Sequence, residues 1–372
     1  MEDEDPWKDD FEMVMQEVAF NARCGPELHH SENKYKPTPI ILERGSSDPF
    51  LLQLVGREPK GERAFKDPIM GHHWLNASWV EVCNLFKNGT YNTADLDAII
   101  AMKKKDPLKV SLCGTHFIFK VKTFDDGKGQ SLFDKLRARL VYQGNFTTKF
   151  IDWNTSHAPA LKMDTFRILM ALTAMFDLFG YCGDFVAAFL QAELKEKHMY
   201  GRFPKGFSQY KNGIEQCMHF KKNIYGMVQA ARNWFHEVKD WMIKECTMGF
   251  NQLGSDQCVF IAVDGKDFCI IFLYVDDLGC LTTNPKMKEK LFKLIGARFD
   301  FEDKGVLDYF LGINVTRDRA SKVLTLDMKA YIHDKLKLFN LETCKTKSSQ
   351  LKAGADDSNT GLFDTRRTAK AE

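Results

Sequence analysis

Residues 268–280, Phe-Cys-Ile-Ile-Phe-Leu-Tyr-Val-Asp-Asp-Leu-Gly-Cys, run eight apolar or aromatic side chains directly into two adjacent carboxylates, Asp276 and Asp277. An apolar run of this length predicts a buried strand. Asp is depleted in strands, so the pair predicts a turn, with 278–281 as the returning strand. Carboxylates against a hydrophobic hairpin are costly unless they are neutralised. Two interpretations follow, a divalent-cation site and a solvated acidic turn.

A third acid, Asp184, lies in a short apolar segment at 181–186 that also predicts a strand. The helix before it is predicted to begin with Asp164 as its N-cap and to close at Gly180. Asp184 alone fits a strand-end turn or a functional role. If a sheet places this strand beside the acidic hairpin, all three carboxylates meet. Clustered carboxylates without His or Cys suit magnesium or manganese rather than zinc, and two such ions support in-line phosphoryl transfer.

A second hairpin is predicted from strands at 115–122 and 136–142 and the turn signal Asp-Asp-Gly-Lys-Gly between them. Arg137 and Arg139 are two residues apart, so a strand places both guanidinium groups on one face. That pair fits a clamp on a phosphate chain, but the local sequence by itself favours a solvated strand face.

Predicted strands, hairpins and helices alternate irregularly, which indicates an α+β protein, and the composition allows a sizeable core. The chain has 372 residues, 44% of them hydrophobic and 27% charged, and a net charge of +2. Its ten cysteines are predicted to be free thiols, because none forms a C-x-x-C pair and several lie in apolar runs. No apolar stretch is long enough to span a membrane, and the acidic start predicts no secretory signal. Trp234, Val238, Trp241 and Met242 predict the buried stripe of a long helix, with no catalytic role for the tryptophans.

Tyr274-Val275-Asp276-Asp277 resembles the Y-V-D-D box of reverse transcriptases. Further segments resemble copia-type LTR retrotransposons and fall in that family's order: Lys87–Tyr91, Phe119–Lys122, Arg137–Val141, Ala158–Lys162, Asp184–Leu190, Tyr225-Gly226 with Gln229-Ala230, and Tyr309–Ile313. The resemblance covers roughly residues 74–345. Any one of these segments is weak evidence for the family, but this many segments in the family's order make a specific match.

The resemblance implies a right-hand polymerase of class α+β, with fingers, a palm and the start of a thumb. It implies a reverse transcriptase domain at 74–345. Mixed composition with little sustained periodicity predicts a linker or poorly ordered arm at 1–73, and low apolar content predicts a disordered tail at 346–372. The resemblance implies RNA-directed DNA polymerase activity on a template and primer with deoxynucleoside triphosphates. Integrase and ribonuclease H would be further domains of a full-length element. No membrane partner is expected, and the expected location is the cytoplasm, in virus-like particles, or the nucleus.

The resemblance also implies site residues. Asp184, Asp276 and Asp277 are the expected catalytic triad and would hold two Mg²⁺ ions, or Mn²⁺. The expected nucleotide-binding residues are Arg137, Arg139, Phe189 and Gln229, with Phe189 excluding a 2′-hydroxyl beneath the incoming sugar. Phe310, Leu311 and Gly312 resemble the primer grip.

Two segments depart from the family pattern without removing a metal ligand. The chain has Asp-Phe-Val-Ala-Ala-Phe at 184–189, where the family usually has Asp-Val-Lys-Thr-Ala-Phe, and Met-Val-Gln-Ala-Ala-Arg at 227–232, where it usually has Leu-Lys-Gln-Ala-Pro-Arg. Arg137 also replaces the usual Lys. These departures keep open a catalytically silent retrotransposon fragment that at most binds nucleic acid. A palm-fold nucleotidyl cyclase is a third hypothesis, disfavoured by the arginine hairpin, the Gln229 segment and the strand with Phe310.

Overall fold

The computed structural model describes residues 42, 44–125, 130–147, 156–196 and 198–344. The α-helices of this part are α1 Pro49–Gln53, α2 Gly71–Lys87, α3 Leu96–Lys105, α4 Met163–Met175, α5 Ala230–Lys244, α6 Pro285–Arg298 and α7 Lys329–Leu338. Short 3-10 helices span Gly61–Lys66, Gly144–Phe146 and Ala188–Gln191.

The strands of the described residues are β1 Tyr91–Asp95, β2 Ser111–Cys113, β3 Thr115–Asp125, β4 Ser131–Tyr142, β5 Phe179–Phe185, β6 Met199–Gly201, β7 Tyr210–Lys211, β8 Ile214–Phe220, β9 Asn251–Gln252, β10 Val259–Asp264, β11 Asp267–Tyr274, β12 Asp277–Thr282, β13 Phe301–Val306, β14 Tyr309–Phe310, β15 Ile313–Asp318 and β16 Val323–Asp327. They mix with the helices irregularly, which confirms the predicted combination of helix and sheet.

A six-stranded antiparallel sheet, in the order β13-β5-β12-β11-β10-β9, carries the acidic hairpin at its centre. The apolar run becomes β11, and Cys269, Ile271 and Phe272 are fully buried. Helix α4 packs on β11 through Phe166, whose ring centroid lies 6.0 Å from that of Phe272. Because the five consecutive residues 269–273 are all buried, both faces of β11 are covered, as expected for a continuous apolar run.

The predicted arginine hairpin forms as β3 and β4, both longer than the sequence predicted, with Lys120 opposite Arg137 and Ile118 opposite Arg139. Its apolar face contributes to a core that also contains residues of α2, β6 and β8. A separate five-stranded sheet contains β1, β8, β6, β2 and β7, with β2 and β6 parallel.

Residues 44–73 correct the prediction of a linker or poorly ordered arm at 1–73. Leu51, Ala64 and Met70 are at most 1% exposed and join the core of the arginine hairpin. These buried side chains do not follow a helix or strand period, so the sequence pattern does not predict their burial. Residues 1–41 and the tail predicted at 346–372 lie outside the described residues.

The chain divides into two compact units. The first contains residues 1–307 and 319–323, and the second contains 308–318 and 324–372. Within the second unit, β14 pairs with β15 in a small antiparallel hairpin, and α7 follows.

Helix α4 differs from its prediction at both ends. Its N-cap is Lys162, and Asp164 lies in the first turn. The helix ends at Met175, before Asp177 takes a positive φ of 51°, so Gly180 belongs to β5 instead. The cysteines confirm the predicted free thiols within the described residues. No helix among the described residues is long and apolar enough to cross a membrane.

Candidate active site

The backbone brings Asp184 to the acidic hairpin. Strand β5 pairs antiparallel with β12 so that Asp184 lies directly opposite Asp277. The amide of Phe185 donates a 2.9 Å hydrogen bond to the Asp276 carbonyl oxygen. Gly183, the residue before Asp184, leaves room for the Phe301 ring, which a Cβ there would meet at 2.0 Å. The three acids therefore lie together where β5 ends and β12 begins, as expected if the sheet places these two strands side by side.

The turn between β11 and β12 consists of Val275 and Asp276, and Asp277 already begins the returning strand. Val275 has a positive φ of 57°, a left-handed conformation that is uncommon for a β-branched residue. Its carbonyl oxygen accepts a 2.7 Å hydrogen bond from Nε1 of Trp234 on helix α5. The acidic turn is thus a strained segment with a specific partner.

Burial and neighbouring carboxylates raise the pKa of Asp184 and that of Asp277. Burial is the largest cause of the raised pKa of Asp277, which reaches about 6, and the charges of Asp276 and Asp184 add to it. The pKa of Asp184 is also raised, by burial first and then by Asp276. Lys304 and Arg137 oppose the shift at Asp184, but they do not outweigh these causes. A site of this kind favours an added positive charge.

The side chains as they stand do not form a ready-made metal cage. Within the described part of the chain, no group of three or more His, Cys, Asp or Glu side chains is arranged to hold a metal ion. The donor set nevertheless fits a hard cation, because Asp184 and Asp277 face each other in register beside Asp276 and supply oxygen atoms only.

Arg137 and Arg139 interact electrostatically with a half-buried acid, Glu81, which was not predicted from the sequence. Glu81 of α2 accepts a 3.1 Å hydrogen bond from the amide of Leu140 on β4. Burial raises the pKa of Glu81, while the Leu140 amide and the charges of Arg137 and Arg139 lower it less. The negative charge of Glu81 therefore offsets part of the positive charge of Arg137 and Arg139.

Arg139 is held by an aromatic ring. Its guanidinium carbon lies 4.6 Å from the centroid of the Tyr225 ring, a cation–π distance. The same Tyr225 ring meets Phe189 edge-on, with centroids 5.4 Å apart. Nε of Arg139 is buried and has no hydrogen-bond partner among the described residues. An unpaired buried donor is unusual and is consistent with a ligand that binds there.

Phe189 lies in the 3-10 helix Ala188–Gln191, which follows Asp184 after one tight turn. Ala187 makes that turn with a positive φ of 51°. Gln191 fastens its end, because Nε2 donates to the carbonyl oxygens of Val186 at 2.7 Å and Asp300 at 3.0 Å. Phe189 is half-buried and packs against the core of the arginine hairpin. One ring therefore contacts Tyr225 and stands five residues from Asp184.

Gln229, predicted to bind the nucleotide, is a buried residue. It is 1% exposed and directly precedes α5, where its carbonyl oxygen accepts a 2.9 Å hydrogen bond from the Asn233 amide. Its side-chain nitrogen is buried and has no partner among the described residues. Phe310, Leu311 and Gly312 belong to the second unit, where Leu311 and Gly312 take positive φ values of 52° and 81° between β14 and β15.

Comparison with protein families gives a match over residues 102–353 to the model described as reverse transcriptase (RNA-dependent DNA polymerase). This chain belongs to the reverse transcriptase family. The match covers both hairpins and the three acids, and it confirms the resemblance seen in the sequence.

Curated relatives of this reverse transcriptase are transposon polyproteins. The chain is 29% identical over 313 residues to the retrovirus-related Pol polyprotein from transposon TNT 1-94 of Nicotiana tabacum, covering 84% of this chain and 22% of that protein. It is 28% identical over 283 residues to the Pol polyprotein from transposon RE1 of Arabidopsis thaliana, covering 76% and 18%. It is 25% identical over 285 residues to the transposon Ty1-DR1 Gag-Pol polyprotein of Saccharomyces cerevisiae, covering 74% and 15%. The chain thus spans about a fifth of the relatives' length.

Among solved structures, apo telomerase from Candida tropicalis, truncated from the C-terminal domain, is 9% identical with a TM-score of 0.34, covering 70% of this chain and 61% of that one. Prototype foamy virus protease-reverse transcriptase is 13% identical with a TM-score of 0.27, covering 76% and 36%. The family assignment rests on the sequence match.

Three residues that contact the acidic turn or interact with the arginine pair were not predicted from the sequence. Glu81 lies on an amphipathic helix and has no local signal. Tyr225 appeared only within a family segment, although its position next to Gly226 hinted at a turn. Trp234 was assigned to the core because aromatics at helical spacing usually belong there, and its 1% exposure agrees. Only the fold shows its hydrogen bond to Val275.

Proposed function

We propose that the chain is the RNA-directed DNA polymerase domain of a copia-type retrotransposon, and that it transfers nucleotides onto a primer 3′-hydroxyl with two divalent cations. One observation carries the proposal: the antiparallel register sets Asp184 opposite Asp277, beside Asp276. The raised pKa values of Asp184 and Asp277 support it, because crowded carboxylates gain most from a bound cation.

Asp184, Asp276 and Asp277 would hold Mg²⁺ or Mn²⁺, with their carboxyl groups turning toward the ions. Bound cations of this kind lower the pKa of an attacking hydroxyl and neutralise a leaving pyrophosphate. Arg139 and Arg137 would bind the triphosphate, and the cation–π contact with Tyr225 fixes the direction of the Arg139 guanidinium. Phe189 would lie beneath the sugar and exclude a 2′-hydroxyl, and Gln229 would offer its unpaired amide nitrogen to the nucleotide.

In this proposal, the six-stranded sheet and its helices are the palm, and the hairpin of β3 and β4 belongs to the fingers. The second unit supplies the primer grip with Phe310, Leu311 and Gly312 and begins the thumb. Template, primer and deoxynucleoside triphosphates are the partners. Integrase and ribonuclease H domains would complete a full-length element, consistent with relatives that are Pol polyproteins. Such a protein would work in cytoplasmic virus-like particles or in the nucleus.

A catalytically silent fragment that keeps the fold is the second candidate. The departures from the family pattern at 184–189 and 227–232 favour it. Extension of oligo(dT) on poly(rA) with dTTP, in Mg²⁺ and separately in Mn²⁺, separates the two. The polymerase proposal predicts products longer than the primer that disappear when EDTA is added. A folded protein that binds the template–primer and extends nothing with either cation would establish the silent fragment instead.

A further inference from the structure

Val275 needs an external constraint. Its φ of 57° is left-handed, and holding a residue other than glycine in such a region costs free energy that the surroundings must offset. Val275 is 39% exposed and Tyr274 is 37% exposed. Burial at the turn is therefore too incomplete to hold it by itself. A hydrogen bond to the backbone is the more specific constraint.

Trp234 supplies that bond and also touches the other half of the acidic site. Nε1 donates to the Val275 carbonyl oxygen at 2.7 Å. The Trp234 ring meets the Phe185 ring at 5.0 Å and 73°, and Phe185 directly follows Asp184. The Phe185 amide in turn donates to the Asp276 carbonyl oxygen. One buried side chain thus contacts the segments that carry all three acids.

We propose that Trp234 is a positioning residue that holds the Val275–Asp276 turn in its left-handed conformation and thereby sets Asp276 and Asp277 against Asp184. This role deepens the proposed polymerase function and rests on it. Trp234 touches neither substrate nor metal in this proposal. It acts through the backbone of the turn, so its hydrogen bond matters separately from its packing.

The alternative is that Trp234 only fills the core, and the same helix offers a matched control. Trp241, also on α5, is 6% exposed. Both tryptophans pack against Phe299, with ring centroids 5.6 Å away for Trp234 and 5.3 Å for Trp241. The substitutions Trp234→Phe and Trp241→Phe remove the same indole atoms from the same layer. Only the first removes a hydrogen bond to the acidic turn.

Steady-state primer extension on poly(rA)/oligo(dT) is the first test. Trp234→Phe should lower kcat by about tenfold, the order expected when a partly buried carbonyl loses its donor, with KM for dTTP changed less than about threefold. Trp241→Phe should keep kcat within about threefold of wild type. Equal kcat values for the two variants would overturn the proposal.

A double-mutant cycle separates positioning from packing. Glycine adopts positive φ without a steric penalty, so Val275→Gly removes the strain that Trp234 offsets. Introduced into Val275→Gly, the change Trp234→Phe should lower kcat less than about threefold, against about tenfold in the wild-type background. An undiminished effect in the glycine background would show that Trp234 acts through packing alone.

Amide hydrogen exchange tests the positioning role of Trp234 without relying on polymerase activity. The Phe185 amide, bonded to the Asp276 carbonyl oxygen, should exchange about tenfold faster in Trp234→Phe than in Trp241→Phe. Identical exchange would refute the positioning role even if no variant polymerises. If wild type extends no primer while exchange differs as expected, the proposed function fails and the positioning of the turn stands.

Discussion

The acidic hairpin of β11 and β12 and the arginine hairpin of β3 and β4 both present charges of one sign, but they are compensated differently. In the acidic hairpin, burial and the neighbouring carboxylates outweigh Lys304, so the pKa of Asp277 rises to about 6. In the arginine hairpin, Glu81 lies close to both guanidinium groups, and the Tyr225 ring stacks on Arg139.

The difference indicates what each hairpin is suited to bind. The acids carry excess negative charge that a cation relieves, so cation binding and the stability of the acidic turn are linked. Glu81 already offsets part of the positive charge of the two arginines, so an anion that binds there relieves less electrostatic repulsion than a cation does at the acids. We therefore expect substitutions in the acidic hairpin to reduce polymerase activity more than substitutions in the arginine hairpin.

The largest expected effect is that of Asp276→Asn. The substitution removes a negative ligand but keeps the side-chain shape, so primer extension should fall below detection while the fold survives. Thermal melting in EDTA should give a melting temperature equal to or above that of wild type, because repulsion with Asp184 and Asp277 is relieved. Extension at the wild-type rate would remove Asp276 from the proposed metal site.

Arg139→Ala should have the next largest effect. A guanidinium–phosphate pair is charge-assisted, so its loss should raise KM for deoxynucleotides by roughly 10- to 100-fold and weaken template–primer binding less. Arg167→Ala is the control, because Arg167 is exposed on α4 and lies 3.5 Å from Asp164. Weakened primer binding with unchanged nucleotide affinity would reassign Arg137 and Arg139 to the template backbone.

Phe189→Ala should narrow the preference for deoxynucleotides. Cutting the ring to a methyl group removes the clash with a 2′-hydroxyl, so the ratio of kcat/KM for dTTP to that for UTP should fall by about tenfold. The control is Leu190→Ala, since Leu190 packs against the same core from the same 3-10 helix. If the ratio is unchanged and stability drops by about 3–5 kcal/mol, Phe189 is a packing residue.

The smallest expected effect is on stability without metal. The folded pKa of Asp277 is about 6 against an ordinary 3.8, so the folded state binds more protons than the unfolded state between these values. Stability therefore falls as pH rises through this window and stays lower above it. Asp277→Asn should raise the melting temperature in EDTA by about a few degrees at pH 7 and leave it unchanged near pH 4. An equal shift at both pH values would show that ionisation is not the cause.

Both hairpins were predictable from the sequence, because an apolar run, turn residues and strand alternation are local signals. The end of α4 was not, since Asp177 adopts a left-handed conformation that normally indicates glycine, while Gly180 looked like the stop. The residues that contact the two hairpins from other elements could not be predicted from the sequence either. Glu81 reaches the Leu140 amide from another element, and the Trp234 indole meets a carbonyl far along the chain. Such contacts depend on tertiary packing rather than on local pattern.

Mn²⁺ binding, followed by electron paramagnetic resonance, tests most directly whether Asp184, Asp276 and Asp277 form one metal site. With template–primer and dTTP present, wild type should bind Mn²⁺, and Asp184→Asn and Asp277→Asn should each weaken binding at least about tenfold. Asp264→Asn, an exposed acid at the far end of the β10–β11 hairpin, should bind as wild type does. Wild-type Mn²⁺ affinity in Asp184→Asn would contradict a shared site and leave the acidic turn to act alone.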